Sequence, residues 1–308
     1  MNAAVHPEFE VLGASWELAL RADGYAANSV LAYRLALQSL AGWLATNHPD
    51  VGPATLGRDH VRGWLAHVRE TTSSSSARTW FSGVRHFCRF LAAEGEADHD
   101  ATQGVKTPKA GEQTTPVLAP ADIRALLDTC SGGDFTARRD AAIIMVLVDG
   151  GLRLAEVAGL KMASVDLQER MLFVEGKGSR RSGPRHRAVP LGIKAARALD
   201  RYLRARRRHP YASTAPLWLG TRGRATISPD GIDAMLKRRA ARVGLKGVHP
   251  HVFRHSWASA FRAAGGSEGD LLVLGGWRSR AMLDRYGASA AADRAAESYR
   301  RLSLGDRL

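Results

Sequence analysis

Apolar residues in the first hundred positions recur at alternating steps of three and four, which restricts this part of the chain to amphipathic helices. Val30, Tyr33, Leu37, Leu40 and Leu44 form one stripe, and the spacing predicts its N-cap at Ser29. Val61, Trp64, Leu65 and Val68 form a second. Trp80, Val84, Phe87 and Leu91 form a third, entered through the polar run Thr71–Ser76 and stopped near Gly95. Each stripe covers one helical face, so the helices must bury those faces against one another in a small bundle. Aromatics at these spacings read as core rather than as a platform for stacking bases. By itself the region states no function.

Between Ala97 and Pro116 the periodicity disappears. Asp98, Asp100, Gly104, Pro108, Gly111 and Pro116 give that stretch the composition of an exposed linker. The expected organisation is therefore a helical domain over 1–106, a linker over 107–116 and a second domain over 117–308. The second region opens with a helix near Pro120, a residue suited to a first helical turn, and runs on through apolar Ile143–Val148. Met171–Val174 reads as a strand, a Gly/Arg-rich turn follows, and Ala188–Leu191 reads as the return strand. Helical patterning then resumes to the end. The fold class is mainly α with a small antiparallel β-sheet.

The 308 residues are 45% hydrophobic and 24% charged, enough for a full core and unlike a disordered chain. The longest apolar run, Ala141–Val148, is far short of the roughly 20 residues that a membrane helix needs. No charged-then-apolar leader is seen, and Cys88 and Cys130, the two cysteines, lie in helix-like segments. The expectation is a reduced, cytoplasmic compartment.

Charge separates the two regions. Residues 1–116 hold 10 basic and 12 acidic residues, whereas residues 117–308 hold 34 and 18, a net +16 within a total of +14. A surplus of that size points to a polyanionic partner, nucleic acid above all. Arginine richness from coding bias would affect both halves alike.

No GxxxxGK(S/T) loop, no GxGxxG after a strand, no HExxH and no paired-cysteine zinc spacing is present. Four motifs carry phosphate-seeking chemistry instead. Gly150 and Gly151 break the apolar run, a helix is predicted from Leu152, and Arg153 falls in its first turn with Glu156 three residues on. An intrahelical salt bridge on a wet surface would give the same pattern. Gly176-Lys177-Gly178 lies between the two predicted strands, where a lysine at a hairpin tip can approach a backbone and donate a proton. Ser179, Arg180, Arg181, Arg185, His186 and Arg187 surround it with charge, and a solvated basic loop is the plain alternative.

In His249-Pro250-His251-Val252-Phe253-Arg254-His255, His251 and Arg254 share a helical face. That spacing sets a proton-exchanging imidazole beside a bidentate phosphate clamp. Three histidines also raise metal binding, but no carboxylate or cysteine nearby completes a ligand set. Last, Leu274-Gly275-Gly276-Trp277 is followed nine residues later by Tyr286, set among Arg280, Arg285 and Arg294. Surrounding cations favour phenolate, which suits a nucleophile.

Taken in order, GLRxxE, a hairpin lysine, HxxR, LGGW and a tyrosine nine residues beyond that tryptophan resemble the tyrosine recombinase (phage integrase) family. The resemblance covers roughly Val117 to the C-terminus. The helical region before it resembles, in length and position, the family's core-binding, SAM-like domain. The resemblance implies the catalytic set Arg153, Lys177, His251, Arg254, Trp277 and Tyr286, with Glu156 supporting the first arginine. Trp277 stands where many members have His, and it keeps a ring N–H donor. The family's reaction is cleavage and rejoining of DNA strands through a 3′-phosphotyrosyl enzyme, with neither metal nor ATP as cofactor. The implied partners are double-stranded DNA, gripped by both domains as a C-shaped clamp, and a homo-tetramer in the synaptic complex. Residues Ala290–Leu302 would form a C-terminal helix docking on a neighbouring protomer, or folding back on its own. A type IB topoisomerase-like enzyme and a catalytically silent DNA-binding relative remain as alternatives.

Overall fold

The computed structural model describes residues 5–108, 116–179, 183–221 and 223–277, without the side chains of 177–179 and 183–185. The chain divides into two compact units, Met1–Gln113 and Thr114–Leu308.

The first unit is built from four helices, α1 (Glu8–Ala22), α2 (Ala27–Asn47), α3 (Arg58–Thr71) and α4 (Ser74–Glu94). The three stripes are its core: Leu40, Val61, Trp64, Val84 and Phe87 are all fully buried, joined by Trp16 from α1. Gly83 lets α4 approach α2 closely, since a Cβ there would lie 3.1 Å from the Tyr33 backbone. Ser73 caps α4 by accepting the Ser76 N–H, and Gly95 ends it in the left-handed conformation at φ 76°. The start of α2 differs from expectation. Ala26, extended at ψ 145°, is the N-cap, and its carbonyl accepts the N–H of Ser29 and Val30. Ser29 therefore sits inside the first turn, because the backbone bend two residues after Gly24 had already started the helix.

The second unit opens with α5 (Pro120–Asp128), with Pro120 in its first turn, and α6 (Phe135–Gly150), followed by the short α7 (Leu154–Ala158). A three-stranded antiparallel sheet comes next, β1 (Val165–Asp166), β2 (Met171–Ser179) and β3 (Gly183–Pro190), in the order β1-β2-β3. The strands extend well beyond the short apolar segments Met171–Val174 and Ala188–Leu191, because backbone pairing continues where the side chains turn polar. Four helices complete the described part: α8 (Ile193–Arg206), α9 (Pro229–Arg242), α10 (Pro250–Ala263) and α11 (Glu268–Gly275). Cys130 lies just past α5 rather than in a helix; both cysteines are buried thiols, and burial drives Cys88 up to about 12.

The apolar run lies in α6, where Ala142, Ile143, Ile144, Val146 and Leu147 are all inaccessible. A helix apolar on every side must be central, and α6 packs on α8 and α10. The start of α6 is held by a buried polar knot. Asp140 accepts from Arg139 at 2.9 Å and from Arg239 of α9 at 2.7 Å. The two guanidiniums also donate to the carbonyls of Leu219 and Thr129. Among the described residues no helix is long and apolar enough to cross a membrane.

Removing one partner of such a knot leaves buried charge unmatched, typically at about 3–5 kcal/mol. Asp140→Ala is therefore expected to lower unfolding stability by about 3 kcal/mol or more, measured by urea denaturation. Its first unit should unfold at an unchanged denaturant concentration.

Candidate active site

Gly150 ends α6, and Gly151 turns the chain in the left-handed conformation at φ 56°. A Cβ on Gly151 would stand 2.2 Å from the Trp257 ring, so this turn admits only glycine. The helix that follows starts at Leu154, two residues later than the sequence predicts, because Arg153 is its extended N-cap. Leu152 is buried in the core instead.

The Glu156 carboxylate folds back on this cap. Its Oε2 accepts the backbone N–H of Arg153 at 2.8 Å, and its Oε1 accepts Arg153 Nη1 at 2.8 Å. The carboxylate side of this pair is buried, the Glu156 side chain being only 5% exposed. The Arg153 side chain stays 40% exposed, turned toward solvent. A second arginine completes the site. Arg187 of β3 donates Nη1 to Oε1 at 2.9 Å and Nη2 to Oε2 at 2.8 Å. Burial alone would raise the Glu156 carboxyl, but the hydrogen bonds and charge of Arg187, with the N–H and charge of Arg153, outweigh it and hold it at about 2.

The LGGW motif is the C-terminus of α11. Gly276 caps the helix in the left-handed conformation at φ 60°. Three successive carbonyls there receive three arginines: Leu274 O from Arg187 Nε at 2.9 Å, Gly275 O from Arg254 Nη2, and Gly276 O from Arg153 Nη2 at 3.2 Å. Helix C-termini leave their last carbonyls unpaired and carry partial negative charge, so cations collect there. Arg254, 1% exposed on α10, also donates Nη1 to Gly151 O at 2.7 Å. Its guanidinium lies 4.1 Å from the centre of the Trp277 ring, a cation–π contact. Trp277 in turn stacks on Trp257 at 5.9 Å.

Arg153, His251 and Arg254 line one open cleft of about 560 Å³, with Leu152, Asp233 and His249 in its wall. The wall's desolvation and then the charges of His249, Arg254 and Arg153 lower the His251 pKa, so the imidazole is neutral and able to accept a proton near pH 7. His255, buried one turn further along α10 with its ring edge-on to His251 at 4.7 Å, is held down at about 4, first by burial and then by its histidine neighbours. Among the described residues no group of three His, Cys, Asp or Glu side chains is arranged to hold a metal ion.

Lys177 is not in a turn between strands. It lies within β2, in the stretch between Gly176 and Ser179 where the register with β3 shifts. Its side chain is outside the described atoms. Tyr286 and the C-terminal segment Ala290–Leu302 also lie outside the described residues. Arg187 went unrecognised in the sequence, where it is one of four arginines in the hairpin. The available signal was the strand period: Arg187 is two residues from buried Val189 and so points to the same face.

The phage integrase family model matches residues 116–293, more than half of the chain. This chain belongs to the phage integrase family. The family's N-terminal SAM-like domain model matches residues 15–95. The tyrosine recombinase XerC of Pseudomonas fluorescens is 35% identical over 236 residues, 75% of each chain. The tyrosine recombinase XerD of Listeria innocua is 30% identical over 241 residues, 77% of this chain and 79% of that one. Among solved structures, the Tn1549 transposon integrase in complex with a circular intermediate DNA superposes with a TM-score of 0.72 at 16% identity, covering 94% of this chain and 99% of that one. A lambda integrase tetramer bound to a Holliday junction gives 0.68 at 16% identity, covering 90% and 79%. Likeness at that identity is one of fold. The integrase family consists of tyrosine recombinases that act on DNA at specific sites, and this chain is an enzyme of that kind.

Because the folded Glu156 carboxyl is depressed below its ordinary 4.5, its contribution to stability is complete above pH 4.5 and is lost as pH falls through about 2. The stability gap between wild type and Glu156→Gln should accordingly be greatest near neutrality, about 3 kcal/mol, and close toward pH 2. Urea unfolding across that pH range reads it directly.

Proposed function

We propose that the cleft is the phosphodiester site of a site-specific DNA recombinase, with Tyr286 as nucleophile. The observation that carries this reading is the convergence of Arg153, His251 and Arg254 on one cleft, with Trp277 packed on Arg254. A phosphodiester needs its charge neutralised as a fifth oxygen arrives, and two arginines held from behind by backbone carbonyls supply fixed donors for it. The Tyr286 oxygen attacks phosphorus as His251 takes the phenolic proton. The bond from phosphorus to the 5′-oxygen breaks, and Lys177 protonates that oxygen. The products are a 3′-phosphotyrosyl enzyme and a free 5′-hydroxyl. In this assignment the Trp277 indole N–H supports a non-bridging oxygen during the transfer. Attack by a second strand's 5′-hydroxyl reverses the steps and rejoins DNA.

We assign residues 1–106 to a core-binding DNA domain, 107–116 to the linker and 117–308 to catalysis. The partner is double-stranded DNA, and the working assembly is a homo-tetramer on two duplexes; the likeness in fold to a lambda integrase tetramer bound to a Holliday junction supports this. The net +16 of residues 117–308 supplies phosphate attraction. We place the enzyme in the cytoplasm, where its substrate is.

Tyr286→Phe keeps the ring and removes only the oxygen. It is expected to form no covalent adduct on a nicked suicide substrate, while DNA affinity in a gel-shift titration stays within about twofold of wild type. Adduct surviving in this variant would move the nucleophile elsewhere, with Tyr299 the next candidate.

Both transfer steps conserve the energy of the phosphodiester, and every proton in them has a protein donor or acceptor. Recombination of a two-site plasmid is therefore expected to proceed at full rate in EDTA without added nucleotide. A strict divalent-ion requirement for adduct formation would overturn the mechanism.

A further inference from the structure

Among the described arginines around Glu156 and the end of α11, Arg187 does not line the cleft. Its side chain is 11% exposed, against 40% for Arg153, and it is absent from the cleft wall. Nε, Nη1 and Nη2 are all engaged internally, on Leu274 O and on both oxygens of Glu156. Those bonds span 87 and 31 positions of sequence, so one side chain ties a strand, a helix cap and a helix end together. The local geometry is built around it. Gly276 packs on this guanidinium, and a Cβ there would lie 3.2 Å from Nη1, at a φ that already favours glycine. Arg187 pairs with Val174 across the hairpin, three residues before Lys177 on β2.

We propose that Arg187 is a positioning residue for strand transfer: it clamps β3, the Glu156 carboxylate and the end of α11 into one unit, and so aims Arg153 at the scissile phosphate. The inference rests on the function proposed above for the cleft. Arg153 alone has a long side chain with many rotamers. Glu156 fixes it, and Glu156 is itself fixed by the two-point contact with Arg187, whose planar fork matches a carboxylate. The third bond, to Leu274, sets that assembly against the helix end whose next two carbonyls hold Arg254 and Arg153. A lysine gathers its donors on one compact ammonium and lacks the planar fork that grips both carboxylate oxygens while Nε reaches Leu274.

The charged and titratable groups around this unit are Arg153 and Arg187 on the carboxylate, with Arg254 on the same helix end and Asp233, His249 and His251 in the cleft wall. Of these, Arg187 contributes most to keeping Glu156 ionised despite its burial. Without Arg187 the carboxyl should take up a proton at higher pH and release Arg153.

The test compares Arg187→Gln and Arg187→Lys with wild type in the full chain. Adduct formation on a nicked suicide substrate at saturating DNA should fall by at least about tenfold in Arg187→Gln, with DNA affinity changed by less than about twofold. Its rate should gain a second acid limb, from Glu156, beyond the one that protonation of His251 gives wild type, and the double variant Glu156→Gln/Arg187→Gln should lose that second limb again. Arg187→Lys should stay slow but show a weaker limb, since it keeps the charge and loses the fork; it is read alone if Arg187→Gln does not fold. Separately, a carboxyl-carbon NMR titration of Glu156 without DNA should show its midpoint raised in either variant. Wild-type rate and a wild-type pH profile in the variants would overturn the inference, as would an unmoved Glu156 midpoint. Equal losses of affinity and rate would make Arg187 a DNA-binding residue and overturn it too. Absence of adduct in wild type would instead overturn the proposed function, with the NMR titration still deciding the clamp.

Discussion

One buried carboxylate organises the catalytic unit. Glu156 accepts four hydrogen bonds, two from Arg153 and two from Arg187, with every distance between 2.8 and 2.9 Å. Taking a carboxylate out of water is unfavourable by several kcal/mol, and Coulomb attraction offsets that only where geometry is good and the lone pairs are filled. Both conditions hold here. The carboxylate therefore cannot be displaced without stranding two guanidiniums, and the start of α7 and β3, which supply them, are tied together and to the end of α11, whose carbonyls both arginines also bind.

The end of α11 is the second half of the same arrangement. Successive carbonyls at a helix C-terminus point the same way and have no partner in the helix. Here they act as the rear support for three arginines. This explains why the motif contains two glycines. At Gly275 a Cβ would lie 2.2 Å from the Trp277 ring, and at Gly276 it would meet Arg187. Small residues bring the backbone against the guanidiniums, and the following tryptophan lays its ring on Arg254. Donors assembled in this way are oriented before any anion arrives, which is the condition for electrostatic preorganisation.

The helical stripes were legible in the sequence because burial and helical period coincide over several turns. Leu37, Leu40, Leu44, Val61, Trp64, Val84, Phe87 and Leu91 are all buried. Gly95 and Gly151 were legible as stops for a local reason, the left-handed conformation that each adopts. Boundaries at Ser29 and Leu152 were less so. Both depend on backbone bends, at Ala26 and Arg153, that no side chain near them advertises. Lys177 was placed in a turn because glycines flank it, yet strand pairing carries β2 through those glycines with a shift in register.

The sequence by itself determined the helical class of the first unit, the hairpin, the basic half and the ordered motifs of the integrase family. Each of these depends on residue type and short spacing, which one dimension records. Tertiary structure decided which of the hairpin arginines does internal work. Arg185 and Arg187 are alike in the sequence and share a strand face; pairing with Val174 places Arg187, one step nearer the core, within reach of Glu156 and Leu274. It also decided that Arg153 and Glu156, readable as a surface pair, are joined through a buried carboxylate, because the groups around it come from 31 and more than 100 residues away. Contacts of that range follow from how the elements pack, and no local pattern encodes them.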